Sequence, residues 1–213
     1  MELSFASLME WTKLTVRNPR LAFELVKSAK LPLEVSILMI VLAGVVSAVA
    51  AGAHYILIGS PDIILPISET QGLQLERAGP FAQGAIAVVT GICGSLALFW
   101  VGKRMGGQGD LADIFSVTAV LQMVVTVLFV GVYLMDIVLP IFAFGLLLVA
   151  FYVSLRGLGH AVNVGHEFNS LGRSALVAVL ATVGLFFVLV FVATALGLAP
   201  EGTIVPLPIG NEL

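Results

Sequence analysis

Five stretches of this chain run for the length of a bilayer crossing without a single Lys, Arg, Asp or Glu. They are 35–58, "VSILMIVLAGVVSAVAAGAHYILI", 80–101, "PFAQGAIAVVTGICGSLALFWV", 114–134, "IFSVTAVLQMVVTVLFVGVYL", 137–155, "IVLPIFAFGLLLVAFYVSL", and 174–198, "SALVAVLATVGLFFVLVFVATALGL". A helix needs about 20 apolar residues to cross the hydrocarbon core. In lipid every backbone N–H and C=O must find a partner within the protein, so runs of this kind fold as helices. The pattern predicts an all-α fold, a polytopic membrane protein with five transmembrane helices. Charged residues make up 11% of the chain, against about a quarter in soluble domains, which leaves no room for a separate soluble domain. Only Met135 and Asp136 separate the third and fourth runs. They are read as two spans in a tight hairpin, because together they are about twice as long as one crossing.

Basic residues give a direction. Lys13, Arg17, Arg20, Lys27 and Lys30 precede the first span, Lys103 and Arg104 follow the second, and Arg156 and Arg173 lie between the fourth and fifth. With five spans all nine fall on one side, and only Arg77 falls on the other. Lys and Arg accumulate in cytoplasmic loops. The expected topology has a cytoplasmic N-terminus and an external C-terminus. The first 34 residues form a cytoplasmic interfacial segment, 35–198 the membrane domain, and 199–213 an external tail. No signal-peptide pattern precedes the first span. The segments 59–79 and 199–213, rich in proline and polar residues, read as irregular.

Before the first span, "NPRLAFELVKSAK" opens with Asn18 as N-cap and Pro19 at the first helical position. Leu21, Leu25 and Phe23 supply an apolar face, and Arg20, Lys27 and Lys30 face water or headgroups. Such an amphipathic helix suits two seats, the cytoplasmic leaflet or the end of the bundle.

Two stretches concentrate polar chemistry. "GKRMGGQGDLADIF", 102–115, has Gly-Lys followed by Arg104, where a phosphate-binding loop needs Ser or Thr after a strand. It reads instead as a sharp turn at Gly106, Gly107 and Gly109, with Asp110 capping the next helix. Lys103 and Arg104 sit where anionic headgroups are expected. "RGLGHAVNVGHEFNSLGRSA", 156–175, holds His160, His166, Glu167 and Arg173. It lacks the HExxH spacing and a third dependable ligand, so it reads as a solvated loop rather than a zinc site. No cofactor is expected. The net charge of −3 gives no nucleic-acid footprint. Cys93 stands alone, which excludes an intrachain disulfide.

Within the spans, His54 and Gln122 are the most polar residues, with Gln83 and Asp136 nearer the ends. Intramembrane polar groups mark candidate sites. His54 lies where it reaches the interface or a neighbouring helix, and no midplane carboxylate or lysine supports a coupled pump. Small residues recur at four-residue spacing, Gly44, Ala48 and Gly52 in one span and Ala87, Gly91 and Ser95 in the next. Such faces let helices approach closely, within one bundle or between copies.

Three of these stretches, in this order, resemble the Yip family, the Rab-GTPase-interacting type of five-span membrane domain. "NPRLAFELVKSAKLP" is similar to its pre-membrane segment, "GKRMGGQGDLADIFSVTAV" to its glycine turn before the third span, and "GHEFNSLGRSALVAVL" to its loop before the last. The resemblance implies a cytoplasmic N-terminus, a five-helix bundle and a role through interactions, not catalysis. The chain departs from longer members in lacking an acidic Asp-Leu-Tyr-Gly-Pro-like stretch near the membrane, so Rab binding is not carried over. The short form is similar to a bacterial branch. The expectation is a non-enzymatic inner-membrane interaction or scaffold protein. Its cytoplasmic face would meet membrane lipids and other membrane proteins, and homo-oligomerisation is left open. The alternative is a small-solute channel or transporter.

Overall fold

A computed structural model describes residues 5–59, 63–68, 71–75, 78–195 and 202–206. Two short helices, α1 (Phe5–Arg17) and α2 (Pro19–Ser28), precede five long ones: α3 (Leu33–Ile58), α4 (Pro80–Arg104), α5 (Leu111–Val138), α6 (Pro140–Gly165) and α7 (Leu171–Ala195). All five long helices are apolar enough to cross a membrane. The first four of these helices are longer than their apolar runs, and the end of the fifth run, 196–198, lies outside the described residues. In particular α6 continues past Leu155 to Gly165, so Arg156 and His160 lie on a helix and not in a solvated loop. The hairpin between α5 and α6 turns at Leu139 alone, and Pro140 opens α6, where its missing N–H costs nothing.

Helix α5 is the centre of the bundle and packs on α3, α4 and α6, while α7 closes against α4 and α6. Lipid tails are as apolar as the side chains, so close packing rather than hydrophobic exclusion holds such helices together. The α3–α4 contact illustrates this. A Cβ on Gly84 would lie 2.6 Å from the Cβ of Ala48 and 2.9 Å from the Gly44 carbonyl. The small-residue face of α3 is thus spent inside the bundle. At one end of the molecule α3 and α5 are joined by His54, whose Nε2 lies 2.8 Å from Asp136 Oδ2, with the Tyr133 ring 5.0 Å away.

That same end carries a feature that departs from the sequence reading. The segments read as irregular pair into an antiparallel sheet of β1 (Ile63–Pro66), β2 (Gln71–Leu75) and β3 (Gly202–Pro206), in the order β1-β2-β3. Pro66 and Pro206 fall on the two edge strands, where a missing N–H breaks no ladder bond. Proline content alone therefore misleads here, since edge strands tolerate it.

The opposite end carries α1 and α2. Asn18 accepts a hydrogen bond from the Leu21 N–H and Pro19 opens α2, as the sequence predicts. The packed face shares only Phe23 with the one expected. Pro19, Ala22, Phe23 and Val26 are buried against α5 and α6. Leu21 and Leu25, expected to form that face, stay 42% and 45% exposed. Beside them Arg20 pairs with Glu24 at 2.7 Å. One face of α2 therefore seats on the bundle, and the other keeps the apolar-plus-basic makeup of an interfacial helix.

Candidate functional site

The polar stretches meet at this basic end. Helix α4 ends in a Schellman turn: the Gly106 N–H donates to the Lys103 carbonyl at 3.1 Å and the Gly107 N–H to the Gly102 carbonyl at 2.8 Å. Gly106 sits at φ +85°, the left-handed conformation that the motif needs. Asp110 then caps α5, accepting from the Asp113 N–H at 2.7 Å.

Helix α6 ends in the same way. The Glu167 N–H donates to the Val164 carbonyl at 3.3 Å, and the Phe168 N–H to the Asn163 carbonyl at 2.9 Å. Here the left-handed position is held by Glu167, at φ +58°. For a residue with a Cβ that conformation costs roughly 1–2 kcal/mol.

The two turns interlock through His166. Its ring is completely buried and lies against Gly102 and Gly107, where a Cβ on either glycine would collide with it. Nε2 is 3.1 Å from the Leu98 carbonyl, an acceptor only, so this nitrogen carries the proton. Nδ1 is buried with no hydrogen-bond partner among the described residues. The Gln108 N–H donates to the His166 carbonyl at 2.9 Å, and Gly109 presses on the Gly165 carbonyl so tightly that no Cβ fits. Burial pushes the His166 pKa down, and the charges of Lys103 and Lys27 push the same way; the Leu98 bond and Asp113 oppose them.

Lys27 fastens α2 to this joint. Its Nζ lies 2.7 Å from Glu167 Oε1 and 3.3 Å from Asp113 Oδ2, and donates to the Val164 and Gly165 carbonyls at 3.4 and 3.3 Å. It answers the last carbonyls of α6, which have no partner within the helix. Its hydrogen bond and charge hold the Glu167 carboxyl below its usual value. Lys27, read from the sequence as facing water, instead faces the bundle.

The remaining candidates divide into anchored and free cations. The Arg156 guanidinium donates to the Val16 carbonyl at 3.2 Å and ties α1 to α6. Lys103 donates to the Gln108 carbonyl at 3.2 Å and lies over Phe99. Arg173 lies over Phe168. Arg104 is exposed and makes no ion pair among the described residues. No group of three metal-ligating side chains occurs among the described residues, and His160 and His166 are not brought to a common point. Gln122 belongs elsewhere, in the middle of α5, where its Nε2 donates to the Ala87 carbonyl at 3.1 Å.

Sequence reading named the two decisive residues here but missed their roles. For Lys27 a signal existed: it follows Phe23 by four residues and so extends the stripe Pro19, Ala22, Phe23, Val26. For His166 there was none, since its glycine cradle comes from a turn 60 residues away in sequence.

Five apolar helices with a charged joint at one end define an integral membrane protein of the polytopic α-helical class. The model of the Yip1 domain matches residues 13–193, and the chain belongs to the Yip family. The match takes in α2, both interlocked turns and the five long helices but for the last two residues of α7. No curated protein matches the chain significantly, and no solved structure does either.

Proposed function

We propose that this protein is a non-enzymatic interaction or scaffold protein that works through its basic end, and that this end faces the cytoplasm of a bacterial inner membrane. The observation that supports the reading is the joint itself. Lys27 and His166 bind α2, the α4–α5 turn and the α6–α7 turn into one unit. The histidine and the glycines at the joint are used in packing, so no reactive group is presented there. The exposed cations Lys103, Arg104 and Arg173 stand around the joint's rim, at the place where anionic headgroups and acidic partner segments meet basic side chains. A rigid base makes such contacts cheaper in lost side-chain freedom.

The test exchanges Lys103 and Arg104 for Glu. Protein purified gently from its own membrane is compared with the double variant for copurifying proteins and for binding to vesicles containing anionic lipid. Loss of a stoichiometric partner or of vesicle binding is expected. Unchanged binding of both kinds removes this rim from the reading.

A further inference from the structure

The bundle holds two cavities that no interaction role uses. One, of about 380 Å³, lies between α3, α4 and α5, with Ser47, Gln83, Thr126 and Tyr133 in its wall. The other, of about 300 Å³, lies between α4, α5, α6 and α7, with Ser95, Thr118, Ser154 and Thr182 in its wall. Thr90, Gly91, Gln122 and Val125 line both. Gln122 thus stands between two chambers, about 17 Å along α5 from its start at Leu111, close to mid-membrane. The volumes fall at the lower end of those of small-ligand sites.

The lining chemistry specifies the ligand. Neither cavity is lined by an acidic residue, a basic residue or a histidine, so a charged ligand would be left uncompensated in a low-dielectric site. Thr90 donates its hydroxyl proton to the Ile86 carbonyl at 2.7 Å and Ser154 to Ala150 at 2.7 Å, while Ser95 and Thr118, each within 2.8 Å of a helix carbonyl, also lie 2.7 Å from one another and share a hydrogen bond. Gln122 spends one amide hydrogen on Ala87. Its Oε1 lies against Gly91, in space that an alanine Cβ would take. The walls therefore offer both hydroxyl acceptors and donors, the second Gln122 N–H and the Tyr133 hydroxyl among the donors. They complement an uncharged group bearing several hydroxyls.

Access is lateral. The buried residues of α7 are Ser174, Val177, Ala178 and Ala181, all in its first half, while Phe186, Phe187 and Phe191 beyond them are exposed. One face of α7 continues half-buried through Leu185, Leu189 and Ala193, and its Ala181, Thr182 and Leu185 line the second cavity.

We propose that these chambers form a binding site for an uncharged polyol group, recognised by Gln122, which arrives either as a free solute or as the headgroup of a neutral lipid. The site stands apart from the basic end, so this proposal and the interaction reading succeed or fail separately.

The experiment uses full-length protein in a detergent without hydroxyls. Native mass spectrometry measures retention of 1-oleoylglycerol, with methyl oleate as the hydroxyl-free control, and thermal unfolding measures protection by glycerol. Gln122→Leu removes the amide. Val125→Phe fills the shared region without touching a hydrogen bond, and it decides the matter if the first variant does not fold. Wild type is expected to keep the oleoylglycerol adduct and lose at least five-fold occupancy in each folded variant, with no methyl oleate adduct. If glycerol alone protects wild type, and each folded variant loses that protection, the source is a free solute. Binding of neither probe, equal binding of methyl oleate, or binding or protection retained in either folded variant overturns the proposal.

Discussion

Helices α4 and α6 end in the same hydrogen-bond pattern, yet one places Gly106 and the other Glu167 in the left-handed position. At Gly106 nothing lies within 4 Å of where a Cβ would stand, so the glycine answers to backbone geometry alone. At Glu167 the backbone geometry is unfavourable, and the side chain is what the position uses, because it reaches Lys27 at 2.7 Å. The difference teaches that a turn can be chosen for its conformation or for what it carries. The α4 turn is a receptacle, and the α6 turn is a plug with a fastening.

The strongest way to break this comparison is to spoil the receptacle. Gly109→Ala drives a methyl into the Gly165 backbone carbonyl, which cannot swing away as a side chain could. A loss of about 3 kcal/mol is expected, read as a drop in unfolding temperature in detergent. A melting curve matching wild type would mean that the turns do not interlock. Next comes the fastening. Lys27→Met leaves Asp113 and Glu167 without their cation, and the lysine is only 19% exposed. About 1–2 kcal/mol is expected, together with faster proteolysis within α1 and α2; equal cleavage rates would separate Lys27 from the docking of α2.

The two left-handed positions should then respond unequally. Gly106→Ala is expected to cost about 1 kcal/mol. Glu167→Gly relieves strain of similar size and loses an ion pair whose carboxylate is mostly exposed, so its net effect is expected to fall within about 0.5 kcal/mol of zero. Parallel melting curves decide this, and equal losses at both sites would dissolve the distinction between receptacle and plug.

The smallest effect near neutral pH is a titration. The folded state holds His166 below the ordinary histidine value of 6.5, so the unfolded chain binds the proton more readily. Stability is full above about pH 6.5 and is lost as pH falls through the window below it. Glu167, also lowered, adds stability above its ordinary value of 4.5 that disappears in more acid solution. Unfolding temperatures measured from pH 7.5 to 5 should fall for wild type and fall less for His166→Asn. Identical slopes would show that His166 is not the group responsible.

Much of the architecture was legible because it rests on local quantities. Uncharged runs of crossing length demand helices wherever lipid is the solvent, and Asn18, Pro19 and Asp110 mark helix starts by chemistry that involves only neighbours in the chain. Legibility failed where phase and pairing decide. That Phe23 packs with Ala22 and Val26 and not with Leu21 and Leu25 is a matter of helix phase, and only the surface of α5 and α6 selects it. The sheet failed for a related reason, because β2 finds β3 from a segment more than 120 residues away.

By itself the sequence determined that this chain is a five-helix membrane protein with its cations gathered at one end, since hydropathy and charge act residue by residue. It also determined membership of the Yip family, because the motifs keep their order and spacing. Tertiary structure alone decided that the glycine turn receives His166, that Lys27 turns inward, and that Gln122 divides two cavities. Those outcomes depend on contacts between distant segments, where a difference of one methyl group in space settles which side chain fits.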